Sequence, residues 1–174
     1  MRENFDRAFR EVLRSEGGYV NDNDDRGGET NLGVTRASWS AYLKRDINDG
    51  EMRGLTVDMV RPFYRQRYWD AVRADELPAG LDYAVFDFAV NAGPVRAIRY
   101  LQRAVGVAED GVIGPATLTA AATANPTQVL ERFSDAKEGF YRGLATRVPS
   151  QAKFLRGWLS RVQLVEATAA TMVA

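Results

Sequence analysis

Glu16 and an acidic cluster, Asp22, Asp24, Asp25 and Glu29, fall within one stretch, SEGGYVNDNDDRGGETNLGVT at residues 15–35. Paired carboxylic acids suit the hydrolysis of a glycosidic bond. One acid protonates the bridging oxygen, and the other holds a water or faces the positive charge that develops on the sugar. The composition removes much of the competition. The chain has 0 histidines and 0 cysteines, which excludes Ser-His-Asp triads, Cys-His pairs, HExxH zinc sites, thiol nucleophiles and disulfide frameworks. Acid–base work is left to Asp, Glu, Lys and Tyr, and neither a metal nor a cofactor is implied.

Glu16 breaks a local rule. It ends a helix, where the macrodipole is negative and a carboxylate loses roughly 0.3–1 kcal/mol. Lys or Arg is the expected residue there, and an uncompensated break of this kind often marks a functional site. The same negative potential, with burial against Leu13, Tyr19 or Val20, favours a carboxyl group that keeps its proton, as a general acid must. The alternative is a solvated glutamate that tolerates the penalty. The loop NDNDDRGGET gathers Asp22, Asp24, Asp25 and Glu29. It reads as the source of a second carboxylate or as a polar turn. Its spacing lacks the EF-hand order with a glutamate at the twelfth position.

The elements that must position these groups are mostly helical. Phe5, Ala8, Phe9, Val12 and Leu13 line one face of a helix over about residues 2–16, which Gly17 and Gly18 stop. Residues 19–34 read as an irregular loop or a small β-hairpin. Thr35 and Thr56 are N-caps of two further helices, the second of which contains Pro62, and NDGEMRG at 48–54 reads as a loop between them. A buried helix is expected over residues 81–91. Gly93-Pro94 passes to a helix at 94–105, DGVIGP makes a tight connection at 110–115, and Pro115 opens a short helix. Two longer helices follow, at about 126–147 and 150–168. The expected fold class is mainly α with one small β or irregular segment after the first helix. It forms a single domain over 1–174, divided into a catalytic part, 1–93, and a helical C-terminal part, 94–174.

Net charge is zero and charged residues make up 26% of the chain. No basic excess points to nucleic acid or an anionic membrane. No run of 18 apolar residues suggests membrane insertion, and the N-terminal MRENFDRAFREVLRSE lacks the apolar core of a signal peptide.

The longer string is similar to a known pattern. Glu16, Asp25 and Thr30 resemble the Glu, Asp, Thr arrangement of the lysozyme superfamily, Glu-x8-Asp-x5-Thr. Here the second gap is four residues, so Asn31 takes the expected spacing. The run Glu16-Gly17-Gly18-Tyr19, then Gly27, Gly28, Thr30, Asn31, Gly33, Val34 and Thr35, resembles the signature of glycoside hydrolase family 108, the phage and bacterial N-acetylmuramidases. Tyr68-Trp69 and DYAVFDFAVNAGP, with Asp87, Asn91 and Gly93, extend the likeness over essentially the whole chain. The resemblance implies an α+β lysozyme-like fold. It implies cleavage of the β-1,4 bond between N-acetylmuramic acid and N-acetylglucosamine, with peptidoglycan glycan strands as partner. Glu16 matches the catalytic acid. Asp25, or its neighbour Asp24, with Thr30 would be the second carboxylate and its hydroxyl. A monomer is expected, made in the cytoplasm and acting in the periplasm or wall after release by a holin or a secretion system, as a phage or prophage endolysin or a wall-remodelling enzyme.

Two further features bear on that expectation. LQRAVGVAEDGVIGPATLTA at 101–120 resembles a short peptidoglycan-binding motif; it reads either as a wall contact or as packing of the C-terminal part. Tyr19, Trp39, Tyr64, Tyr68 and Trp69 are flat aromatics suited either to stacking on a pyranose or to a core. Tyr19 and Trp69, with the polar Asn31, Asp87 and Asn91, are the candidate substrate contacts. Asp87 and Asn91, near the end of an apolar helix, need partners in the cleft or in the fold.

Overall fold

A computed structural model describes residues 4–16 and 30–173. Tyr19, Asp24 and Asp25 lie outside the described residues. Along the chain, α1 (Phe5–Glu16) precedes a two-stranded antiparallel hairpin, β1 (Thr30–Asn31) and β2 (Val34–Thr35). Then come α2 (Arg36–Leu43), α3 (Asp49–Arg53), α4 (Val57–Tyr64), α5 (Leu81–Ala92), α6 (Pro94–Val105), α7 (Pro115–Thr123), α8 (Pro126–Arg147) and α9 (Leu155–Ala170). The class is mainly α and lysozyme-like, with the small sheet after the first helix, as the periodicity and the resemblance lead one to expect. Among the described residues no helix is long and apolar enough to cross a membrane. The chain divides into two compact units, one spanning Asp6–Arg67 and the other the rest of the chain.

In the first unit, Thr35 caps α2 by accepting from Ser38 N, and Thr56 caps α4 by accepting from Met59 N. The segment that reads as a loop at 48–54 instead holds α3. Asn48 Oδ1 accepts from Glu51 N, and Glu51 Oε2 accepts from Asn48 N, both at 3.0 Å. This capping box, with Met52 fully buried, outweighs the two glycines in the segment. Pro62 lies within α4, and the chain leaves α4 through a π-helical turn, Arg65–Trp69. Loosening of this kind is expected near a residue that cannot donate to the helical ladder. Phe9, Trp39, Tyr42, Phe63 and Tyr64 form an aromatic cluster, with ring centroids 5.3–5.7 Å apart.

The second unit is built around α5, buried along nearly its whole length and packed by α6, α8 and α9. A helix apolar on all sides belongs in a core. Gly93 and Pro94 turn α5 into α6 as expected, and Gly106 closes α6. The final helix differs from expectation at its start: Pro149–Phe154 is 3-10, and regular α geometry begins at Leu155.

Candidate active site

Glu16 is the last residue of α1. Its side chain is half-buried, with Oε1 shielded from solvent. The hairpin turn packs against its stem. Leu32 and Gly33 both have left-handed φ, 51° and 73°, as a type I′ turn requires. Gly33 comes so close that an added Cβ would lie 3.0 Å from both Cβ and Cγ of Glu16 and would collide with the Tyr64 hydroxyl. Tyr64, fully buried in the aromatic cluster, donates its hydroxyl to Leu32 O at 2.9 Å and holds the strained turn in place. The strands on either side carry Thr30, half-buried and paired with Thr35, and Asn31, paired with Val34.

Asn31 is 6% exposed and donates from Nδ2 to Met52 O at 2.8 Å and to Arg53 O at 3.3 Å. Its amide ties the hairpin to the end of α3. The first unit therefore brings Glu16, Thr30 and Asn31 onto one helix end and one hairpin. Gly33 and Tyr64 complete that arrangement. Gly33 is marked in the sequence by a glycine between Leu32 and Val34, whereas Tyr64 carries no signal beyond its aromatic ring.

The candidates in the second unit are used differently. Trp69 is fully buried, with its ring against Phe5 and Phe86 at 5.3 and 5.4 Å and Nε1 donating to Asp75 Oδ1 at 2.9 Å. As placed, it serves the core and presents no face for a sugar. Asp87, 2% exposed, accepts from Arg161 at 2.7 and 3.0 Å and from Lys137 Nζ at 3.3 Å. Burial lowers the Lys137 pKa, against the opposing pull of Asp87. This buried cluster braces α5 against α8 and α9. Asn91 is exposed and donates to Asp87 O at 2.7 Å, which leaves its carbamoyl oxygen available to a ligand.

The segment 101–120 has its own internal logic. Gln102, 1% exposed, donates from Nε2 to Asp110 Oδ1 (2.6 Å), Val112 O (3.0 Å) and Thr117 Oγ1 (3.3 Å), and accepts from Gly111 N at 2.9 Å. The Gln of the LQ pair and the Asp-Gly turn are thus a mutual clamp, and the polar residues that make the motif recognisable are spent inside the fold.

The family model described as Glycosyl hydrolase 108 matches residues 9–93, which include Glu16 and the hairpin, and one described as Predicted Peptidoglycan domain matches 96–163. The solved structure of Brucella abortus SagA is 39% identical, with a TM-score of 0.88, covering 99% of this chain and 97% of that one. The chain belongs to glycosyl hydrolase family 108. No curated protein matches it significantly. This family 108 chain is a glycoside hydrolase that acts on peptidoglycan, of the N-acetylmuramidase type. The family 108 match spans the helix end and hairpin, and the peptidoglycan match spans the clamped segment.

Proposed function

We propose that Glu16 is the general acid of this muramidase. It donates its proton to the oxygen linking C1 of N-acetylmuramic acid to N-acetylglucosamine, and the C1–O bond breaks. Asp25, with Thr30, holds the water whose hydroxyl adds to C1, and takes up the water's second proton. The observation that carries this reading is the carboxyl of Glu16 at a helix end, one oxygen shielded, against a turn whose own strands present Thr30. A proton donor needs an oxygen kept from bulk water and a fixed aim; Oε1 is buried, and the Gly33 contact limits where the stem can go. Tyr19, the neighbour of Glu16 in the signature, and the exposed Asn91 are assigned to the sugar chain. The substrate lies outside the cytoplasm, so delivery falls to a holin or a secretion system, and a single chain is sufficient for the chemistry.

The test is digestion of purified peptidoglycan by the wild type and by Glu16→Gln, with products read by mass spectrometry. Reducing-end muramic acid from the wild type alone is the expected result. Anhydromuramic ends would show that no water is added and would remove the role given to Asp25 and Thr30. Near-wild-type release by Glu16→Gln would remove Glu16 as the acid.

A further inference from the structure

A groove of about 490 Å³ opens on the second unit, beside the α5–α6 junction and the loop that carries Glu109. Arg96, Arg99 and Arg103 line it from α6, spaced so that all three share one helix face, together with Val95, Tyr100 and Glu109. Three guanidiniums face one carboxylate there. Arg103 is committed to that carboxylate, donating to Glu109 from Nε and Nη2 at 2.8 Å each. Arg96 lies over the Phe140 ring at 4.7 Å and donates to Ala92 O at 3.1 Å. Among the described residues, neither Arg96 nor Arg99 is ion-paired. The nearby Asp110 is occupied by Gln102 and Val112 N.

The groove is held rigidly. Gly111 has φ 81°, and an added Cβ there would lie 3.1 Å from Val95 Cγ1 and 3.3 Å from Arg99 Nε. The Gln102 clamp therefore presses the Asp-Gly turn onto the two side chains that line the groove. The polar residues of the 101–120 motif build a wall, and Arg96 and Arg99 stand in front of it, Arg99 within the field of Glu109 and Asp110 but hydrogen-bonded to neither.

Guanidiniums in a preset groove select carboxylates, which they bind bidentately. The backbone of a glycan strand carries no free carboxylate, because the lactyl group of muramic acid is amide-linked to a peptide. In peptidoglycan the carboxylates sit on those short peptide stems, among alanine methyls and the amino group of a diamino acid. We propose that this groove binds peptidoglycan peptide stems through their carboxylates. Arg96 and Arg99 take the carboxylates, Val95 and Pro94 receive the methyls, and Glu109 accepts from the amino group. The proposal rests on peptidoglycan as the substrate and specifies that this part of the molecule reads the peptide and not the sugar.

The test uses the full chain, ¹⁵N-labelled, titrated with free stem tetrapeptide, with the same peptide after amidation of its carboxyls, and with the N-acetylglucosamine disaccharide. Shifts confined to residues 92–112 are expected with the free peptide. An Arg96→Ala/Arg99→Ala variant, folded by circular dichroism, should bind it at least ten-fold more weakly, and Arg99→Lys should recover part of the loss. In digestion assays the double variant's preference for intact sacculi over sacculi whose stem carboxyls have been amidated should fall about ten-fold, through KM. No shifts at millimolar peptide, equal binding of the amidated peptide, or the same shifts from the disaccharide would each overturn the proposal, as would an equal loss on both kinds of sacculi. A wild type that cleaves neither kind would count against the muramidase reading, while the titration, which needs no turnover, would still decide the groove.

Discussion

Gly33 lies against Glu16 so closely that a methyl group cannot be inserted between the hairpin turn and the carboxylate stem. One residue thus bears on both the backbone of the turn and the placement of the Glu16 side chain. Gly33→Ala must adopt a left-handed φ and also push back the Tyr64 hydroxyl and Glu16. We expect it to lose about 1–3 kcal/mol of stability and more than ten-fold in activity. Thermal unfolding and clearing of a cell-wall suspension measure the two together. An unchanged activity would mean that the turn does not position Glu16.

Thr30 and Asn31 are neighbours with separable roles. Asn31→Ala leaves the carbonyls of Met52 and Arg53 without its amide and should cost about 1–3 kcal/mol of stability. Thr30→Val should leave unfolding nearly unchanged and lower kcat. If Thr30→Val unfolds early while retaining its kcat, Thr30 is structural.

Asp24 and Asp25 are distinguished by spacing from Glu16. Asp25→Asn is expected to reduce turnover by orders of magnitude and Asp24→Asn far less. If Asp24→Asn is the worse variant in the same assay, the second carboxylate is Asp24.

Asp87 holds two cations in the core, Lys137 and Arg161. Asp87→Asn strands both and should destabilise the chain by about 3–5 kcal/mol. Lys137→Met should be milder, because Asp87 keeps Arg161. Urea denaturation of both variants checks the order.

Asp82, buried on α5, has its pKa raised above the usual 3.8 by burial, although Asn4 Nδ2 and Tyr83 N both donate to it. The folded state therefore holds this proton more tightly than the unfolded chain does. The stability it contributes is full below the unfolded pKa and is lost as pH rises through the folded one. Asp82→Asn removes that loss. The stability of the variant relative to the wild type should therefore improve between pH 3 and the folded pKa and then stay level. Denaturation at stepped pH values tests the sign, and a trend in the opposite direction would refute it.

The local rules were readable from residue order alone: the amphipathic face of α1, the Thr35 and Thr56 caps, the Gly93-Pro94 junction and the anomaly of a glutamate at a helix end. Each depends on groups within a turn or two of one another. The capping box of α3 is also present in the sequence, but Asn, Asp and two glycines favour a loop by composition, and it is the burial of Met52 that reverses that preference. What tertiary structure alone decided is the use of each polar or aromatic side chain. Trp69, Asp87 and Asn31 have the right chemistry for a sugar site, yet packing placed the first two in the core and turned the Asn31 amide inward onto α3. Gly33 and Tyr64 acquired their importance only from a contact that spans the loop between α1 and the hairpin. Residue type limits what a side chain can do; which of its partners it meets is set by contacts between residues far apart in the chain, and these do not exist until the chain has folded.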